Sequence, residues 1–145
     1  MPTETVDMLS FAEDVKALLE KSAAEKRVSI LVKGKGFSIE GVSRMLHEAI
    51  YNLCDNAIKY NVIGGSVVLE VQNRCLIVRD TGIGIPAEHK ERIFERFYRV
   101  DKSHSKASGG TGLGLSIVKH VALYHGAQIQ LESKVGKGTV ITIQF

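Results

Sequence analysis

The chain has 145 residues, 44% of them hydrophobic and 24% charged, with a net charge of +3. Those figures describe one globular domain with a solvated surface and a local basic cluster, and they argue against nucleic acid as a partner. No run approaches the roughly 18 apolar residues of a membrane helix and no signal peptide opens the chain, so membrane insertion by this segment is excluded and a reducing compartment suits it.

In chain order, residues 7–26 repeat Met8, Ala12, Val15, Leu19 and Ala23 at three- and four-residue steps, which predicts an amphipathic helix. Residues 28–33 alternate, with Val28, Ile30 and Val32 on one side, as a half-buried strand does. Gly34-Lys35-Gly36 marks a turn. Helical spacing returns over residues 43–60 through Met45, Leu46, Ala49, Ile50, Leu53, Ala57 and Ile58. After Gly64-Gly65, the runs 66–72 and 75–79 joined by Asn73-Arg74 predict a hairpin. Pro86 suits the first turn of a short helix continuing to about Phe94. Residues 97–112 are polar, glycine-bearing and without period. Residues 113–125 are helical again, and 127–133 with 139–145 form a last hairpin. Helices and hairpins alternate without a repeating βα unit, so an α+β two-layer sandwich is expected rather than a parallel Rossmann sheet. No repeat or linker divides residues 1–145.

Cys54 and Cys75 are the only cysteines, form no CxxC pair and lie in apolar runs, where a cysteine is usually a small core residue. The five histidines show no HExxH or paired-ligand spacing, so zinc is unsupported.

Four clusters carry chemistry. In the first, Glu48, Asn52, Asp55, Asn56 and Lys59 follow at three- or four-residue steps and share one helical face. A merely solvated face is the bland alternative. Two asparagines in a helix interior cost propensity, however, and suggest a task such as holding Mg²⁺ through an amide oxygen. The second is Asp80-Thr81-Gly82-Ile83-Gly84-Ile85-Pro86, straight after a strand. A carboxylate there can accept from an exocyclic amine while glycines admit a flat ring; taken alone, the motif is just as readily a turn. The third is Glu95-Arg96-Phe97-Tyr98-Arg99-Val100-Asp101-Lys102. Phe94 and Phe97 can anchor a mobile loop and Arg99 can face a polyphosphate, whereas Lys102 and Lys106 read as solvated charges. The fourth, Gly109-Gly110-Thr111-Gly112-Leu113-Gly114-Leu115-Ser116, runs into a helix and offers N–H groups to phosphate. It lacks the preceding strand and following acid of a Rossmann site, and the Gly-Lys-Ser/Thr of a P-loop.

In this order the clusters resemble the catalytic and ATP-binding domain of bacterial sensor histidine kinases, in the superfamily of gyrase, heat-shock chaperones and mismatch-repair ATPases. The likeness runs from about Asp7 to Phe145: residues 47–60 look like the N box, 80–85 the first glycine box, 94–97 the F box and 110–114 the second glycine box. It implies a Bergerat-type ATP-binding fold, a mixed and mostly antiparallel sheet covered by helices on one face. By resemblance, Asn52 holds Mg²⁺, Asn56 and Lys59 contact phosphates, and Tyr60 packs along the nucleotide. Asp80 accepts the adenine amino hydrogen, with Gly82, Gly84 and Ile85 around the ring and Thr139 supporting it. Residues 97–112 form an ATP lid from which Phe97 and Arg99 act, and Gly110, Thr111, Gly112, Leu113, Gly114 and Leu115 cradle the phosphates. Glu48 matches the glutamate that activates water in the ATPase branch, here a base or a magnesium-shell residue. Catalysis is thereby assigned to Glu48, Asn52 and Arg99.

The chain departs from the pattern in two places. Ile141 stands where the last glycine box usually has an aromatic residue. His47-Glu48 is followed by Asn52 where a phosphoacceptor histidine has proline, and no other histidine fits. The resemblance therefore implies a donor of the γ-phosphoryl group of Mg·ATP to a histidine on a separate dimerisation and phosphoacceptor domain of the same parent, with a response regulator downstream. The parent is expected in the inner membrane with this part on the cytoplasmic side. The alternatives are a nucleotide-binding regulatory module without transfer activity, or an ATPase or serine kinase of the same fold.

Overall fold

The computed structural model describes residues 2–99 and 114–145. Seven strands and three α-helices run β1 (Glu4–Asp7), α1 (Met8–Glu25), β2 (Ser29–Lys33), β3 (Ser38–Gly41), α2 (Ser43–Lys59), β4 (Ser66–Gln72), β5 (Cys75–Asp80), α3 (Gly114–Tyr124), β6 (Gln128–Lys134) and β7 (Gly138–Gln144) among the described residues. Five strands form one sheet in the order β2-β4-β5-β7-β6, and β1 pairs with β3 in a separate ribbon. Only β2 and β4 are parallel; every other pair is antiparallel. The α+β sandwich with a mixed, mostly antiparallel sheet is thus the observed architecture.

The core lies between one face of the sheet and the three helices. Val67, Leu69 and Val71 of β4, Leu76 and Val78 of β5, and Ile141 and Ile143 of β7 alternate inward. The five residues read as the apolar stripe of α1, Met8, Ala12, Val15, Leu19 and Ala23, are the ones it buries. α2 lies between α1 and α3 and buries eight side chains, among them Leu46, Ile50 and Leu53, each worth about 1.5–3 kcal/mol on burial. Cys54 joins this core, where burial lifts its thiol to about 12, so it is an inert apolar residue. Ile141, which stands where the resemblance expects an aromatic residue, is buried there too.

The Asn73-Arg74 turn has both residues at positive φ, 53° and 58°, the backbone of a two-residue hairpin. The β1–β3 ribbon was not foreseen, because each strand is four residues long with only one or two of them buried. It serves α1: Asp7 ends β1 and then caps the helix, its Oδ1 accepting the Ser10 N–H at 3.2 Å.

The short helix expected from Pro86 to about Phe94 is corrected. A 3₁₀ turn spans Ala87–His89, with Pro86 outside it at ψ 145°, and turns bonded three residues apart follow, as in Arg92 N to His89 O and Glu95 N to Arg92 O. Of this segment only Ile93 is buried, too little apolar surface to hold an α-helix. Phe97 does not anchor it either: it sits at φ 65° and is 62% exposed, with Arg96 against its ring. The anchoring falls to Ile93 and to Phe94, which lines a cavity of about 600 Å³ with Ala122, Leu123, Ile129 and Leu131. The segment 97–112 expected as a lid lies outside the described residues from Val100 onward.

Candidate nucleotide site

One end of the site forms where β5 runs out. Asp80 pairs with Thr139 of β7, and its carboxylate Oδ1 accepts the Gly82 N–H at 2.8 Å. Burial pushes the carboxyl up to about 6, although backbone hydrogen bonds from Gly82 and Thr139 pull the other way. A half-buried carboxyl at a strand end whose pKa is raised by burial is a candidate for binding.

Glycines around Asp80 make room for the backbone itself. A Cβ on Gly82 would lie 2.4 Å from the Tyr60 carbonyl oxygen, which also accepts the Ile83 N–H at 3.1 Å. Gly84, at φ 76°, meets the β6–β7 turn, and a Cβ there would lie 2.2 Å from Lys134 O. Gly138, at φ 122°, would put one 2.0 Å from Asp80 O. Gly138→Ala is therefore expected to destabilise the domain by about 3 kcal/mol or more, read as a lower midpoint in urea unfolding.

Ser133 and Thr139 close this end. Ser133 Oγ accepts the Ile85 N–H at 2.8 Å and donates to Gly138 O at 3.0 Å. Its hydrogen is thus spent, so the Thr139 hydroxyl, 2.7 Å away, is the donor between them. Thr139 keeps its oxygen as an acceptor facing the Asp80 end.

Asn61, 5% exposed, was missed by the sequence reading. Its Oδ1 accepts from Val62 N at 2.8 Å and Thr81 Oγ1 at 3.1 Å, while its Nδ2 donates to Ser66 O at 3.0 Å. One amide thereby joins the end of α2 to β4 and to the loop after Asp80. The signal was an asparagine directly past Tyr60, the C-cap of α2, where a short amide side chain can bond nearby backbone groups. Ser133 and Lys90, whose Nζ donates to Ser133 O at 2.5 Å, carried no signal because each acts on a segment distant in sequence.

The other end is on α2. Glu48, Asn52, Asp55, Asn56 and Lys59 are all helical, and Lys59 Nζ lies 3.0 Å from Asp55 Oδ2. Asn52 Nδ2 donates to the Glu48 carbonyl at 2.9 Å, which turns its Oδ1 outward. That oxygen is the nearest atom, at 3.3 Å, to the place a Cβ on Gly114 would take. The first residue of α3 and the central amide of α2 therefore meet. Glu48 is exposed, on the rim of an open groove of about 440 Å³ with Phe11, Arg44, His47 and Tyr51. His47 is bound to Asp14 at 2.7 Å.

Asn52 and Tyr60 are eight residues apart on one helix, so the two ends are separated by about 12 Å. The structure brings Asp80, Gly82, Gly84, Ile85, Thr139 and Tyr60 together at one end, and Asn52 and Gly114 at the other. Asn56 and Lys59 stand along α2 between those ends, and Leu115 packs against the core. Arg99 is half-buried at the edge of the described segment; Gly110, Thr111, Gly112 and Leu113 lie outside it.

An elongated site with a carboxyl at a strand end, an amide on a helix and a glycine at the next helix start defines the gyrase-like ATPase class, and the comparisons agree. The family described as histidine kinase-, DNA gyrase B-, and HSP90-like ATPase matches residues 41–145. The sensor-like histidine kinase SenX3 of Mycolicibacterium smegmatis is 40% identical over 98% of this chain and 38% of its own length. The phosphate regulon sensor protein PhoR of Pseudomonas aeruginosa is 39% identical over 95% of this chain and 31% of its own. Among solved structures, the mycobacterial sensor histidine kinase MprB superposes with a TM-score of 0.82 at 30% identity, covering 97% of this chain and 94% of that one.

The chain belongs to the histidine kinase-, DNA gyrase B- and HSP90-like ATPase family, on its sensor histidine kinase side. It spans about a third of the length of the curated relatives it matches. No helix among the described residues is long and apolar enough to cross a membrane.

Proposed function

We propose that this domain binds Mg·ATP along α2 and presents its γ-phosphoryl group to a histidine of a separate phosphoacceptor domain. The observation that carries this is the pairing of the two ends: a half-buried carboxyl at Asp80, whose neighbour Gly82 lies against Tyr60 at the end of α2, and an amide oxygen at Asn52 beside Gly114, about 12 Å back along α2 from Tyr60. Asp80 would take the adenine amino hydrogen, with Thr139 as a second acceptor and Gly82, Gly84 and Ile85 admitting the ring. Tyr60 would flank the nucleotide.

The donor set suits Mg²⁺. Asn52 Oδ1 supplies one hard oxygen, and among the described residues no three Asp, Glu, His or Cys gather into a metal-holding cluster. That fits an ion that takes few protein ligands and keeps phosphate oxygens in its shell. When bound, it would neutralise charge on the transferring phosphate. Asn56 and Lys59 would hold phosphate oxygens, with Asp55 keeping the Lys59 ammonium on that face. The segment 97–112 would close over the site as a lid, with Phe97 and Arg99 at its start. Gly110, Thr111, Gly112, Leu113, Gly114 and Leu115 would offer backbone N–H groups at the start of α3.

In the transfer, an imidazole nitrogen of the acceptor attacks the γ-phosphorus, the bond to the β-bridging oxygen breaks, and ADP leaves. The imidazole proton passes to a base, a role Glu48 can fill from the Asn52 end. Such chemistry depends mainly on alignment and charge stabilisation. The parent would be an inner-membrane sensor with this domain on the cytoplasmic side, and a response regulator would receive the phosphoryl group.

Arg99 would meet charge on the terminal phosphate. Arg99→Ala should therefore bind ADP within about threefold of the parent yet phosphorylate an added acceptor domain about 100-fold more slowly. Equal losses in ADP binding and in rate would instead make Arg99 a structural residue.

A further inference from the structure

α2 and α3 run antiparallel, and α3 meets α2 at both of its own ends. At the site end, Gly114 faces Asn52 Oδ1. At the far end, His125, which directly follows α3, reaches the residue before α2. Its Nε2 accepts the Val42 N–H at 3.1 Å and its Nδ1 donates to Val121 O at 2.8 Å. From Val42 to Asn52 is ten residues and from Gly114 to His125 eleven, so each arm is about 15 Å of helix.

The seat of the imidazole is built. A Cβ on Gly41 would lie 2.9 Å from its Cδ2 and Nε2, so only glycine leaves room for the ring. Tyr124 and Phe145 present their rings edgewise to it at 5.3 and 6.5 Å. α2 has no side-chain cap of its own at this point. Between the two ends the buried side chains of the helices are apolar, Leu46, Ile50 and Leu53 on α2 and Val118, Val121 and Ala122 on α3, and their packing is non-directional. A hydrogen bond is directional and fixes register. A slip of one residue would move Asn52 by about 1.5 Å along Gly114.

We propose that His125 is a positioning residue for the phosphate end of the nucleotide site: it holds α3 in register on α2, and so sets the distance between the Asn52 amide and the Gly114 turn. The assignment rests on reading that end as the Mg²⁺ and phosphate end. The Asp80 end is built on the sheet and does not depend on this register. His125 is required as its Nδ1–H tautomer, because Nε2 must accept.

The test is titration of the parent, His125→Leu and His125→Gln with ADP, once in chelator and once with Mg²⁺. The quantity read is the factor by which Mg²⁺ tightens binding. His125→Leu should lose about tenfold of that factor, the worth of one hydrogen bond, while metal-free ADP binding moves less than about twofold. In His125→Gln the new side chain would be too long for Val121 but can offer its Oε1 to the Val42 N–H, so this variant should recover most of the factor. If both ligands weaken together in proportion to a fall in Tm, the role is structural and the proposal is overturned. Nitrogen NMR of the parent supplies a readout independent of how the variants fold: an Nε2–H tautomer for His125 overturns the proposal. A parent that binds ADP with no tightening by Mg²⁺ overturns the reading of the phosphate end itself, and the assignment with it.

Discussion

Asp80→Asn should lose adenine nucleotide binding and, at neutral pH, make the empty domain more stable. The carboxyl has been lifted from 3.8 to about 6 by burial, so at pH 7 it is ionised at a cost to the fold. The sign follows from proton binding. Between about pH 4 and 6 the folded state holds a proton that the unfolded chain has released, so stability falls as pH rises through that window. Below it the cost is absent, and above it the cost is complete. A neutral amide removes that cost, and a gain of about 1–2 kcal/mol is expected after allowance for partial solvation. The substituted amide would keep an oxygen for the Gly82 N–H and would turn its NH₂ toward the adenine amine. A donor would then face a donor where the carboxylate had accepted, and affinity for ADP should drop at least 100-fold. Thermal melts between pH 4 and 8 and an ADP titration check both halves. The parent's empty-state Tm should decline across pH 4 to 6 by more than that of the variant. An Asp80→Asn domain that binds ADP as tightly as the parent would refute the adenine assignment.

Asn52→Ala has the second large effect, at the opposite end. Its Oδ1 is held outward by the bond from Nδ2 to the Glu48 carbonyl, so truncation removes a positioned oxygen and leaves the helix intact. Alanine favours the helix interior more than asparagine does, and stability should not fall. Metal-free ADP should bind within about threefold of the parent, while transfer to an acceptor with Mg·ATP should fall by about 10³. Transfer within tenfold of the parent would remove Asn52 from the metal site. The two variants separate the ends: one abolishes binding through adenine, the other spares it.

Much of the fold was legible because its core elements are long and clearly periodic. The stripe of α1 was read residue for residue, the β4–β5 hairpin was marked by its Asn73-Arg74 turn, and the β6–β7 hairpin was read from its two strand runs. What failed was short or weakly apolar. The β1–β3 ribbon has four-residue strands, below the length at which alternation can be seen. Residues 87–97 carry three large apolar side chains near helical spacing, Ile93, Phe94 and Phe97, yet only Ile93 found a buried place. Phe97 was expected as an anchor and is exposed, at a positive φ of 65° and with Arg96 against its ring.

The candidate site shows the same division. Asp80, Asn52 and the glycines announce themselves, since each departs from what its secondary structure would choose. Their supports do not. Asn61 and Ser133 act by bridging segments, and His125 reaches Val42 across 83 residues. Spacing along a chain carries no trace of such contacts. Whole-site assembly is a property of the β5–β7 register and of α3 lying along α2.

The central claim is phosphoryl donation, and one incubation tests it most directly. The domain is mixed with γ-labelled Mg·ATP, alone and with a separately prepared histidine phosphoacceptor domain of a sensor kinase. The label should appear on the acceptor's histidine as an acid-labile phosphoramidate, with none on this chain and little free phosphate when the acceptor is left out. Rapid release of phosphate by the domain alone, or no turnover with any acceptor despite tight ATP binding, would contradict it.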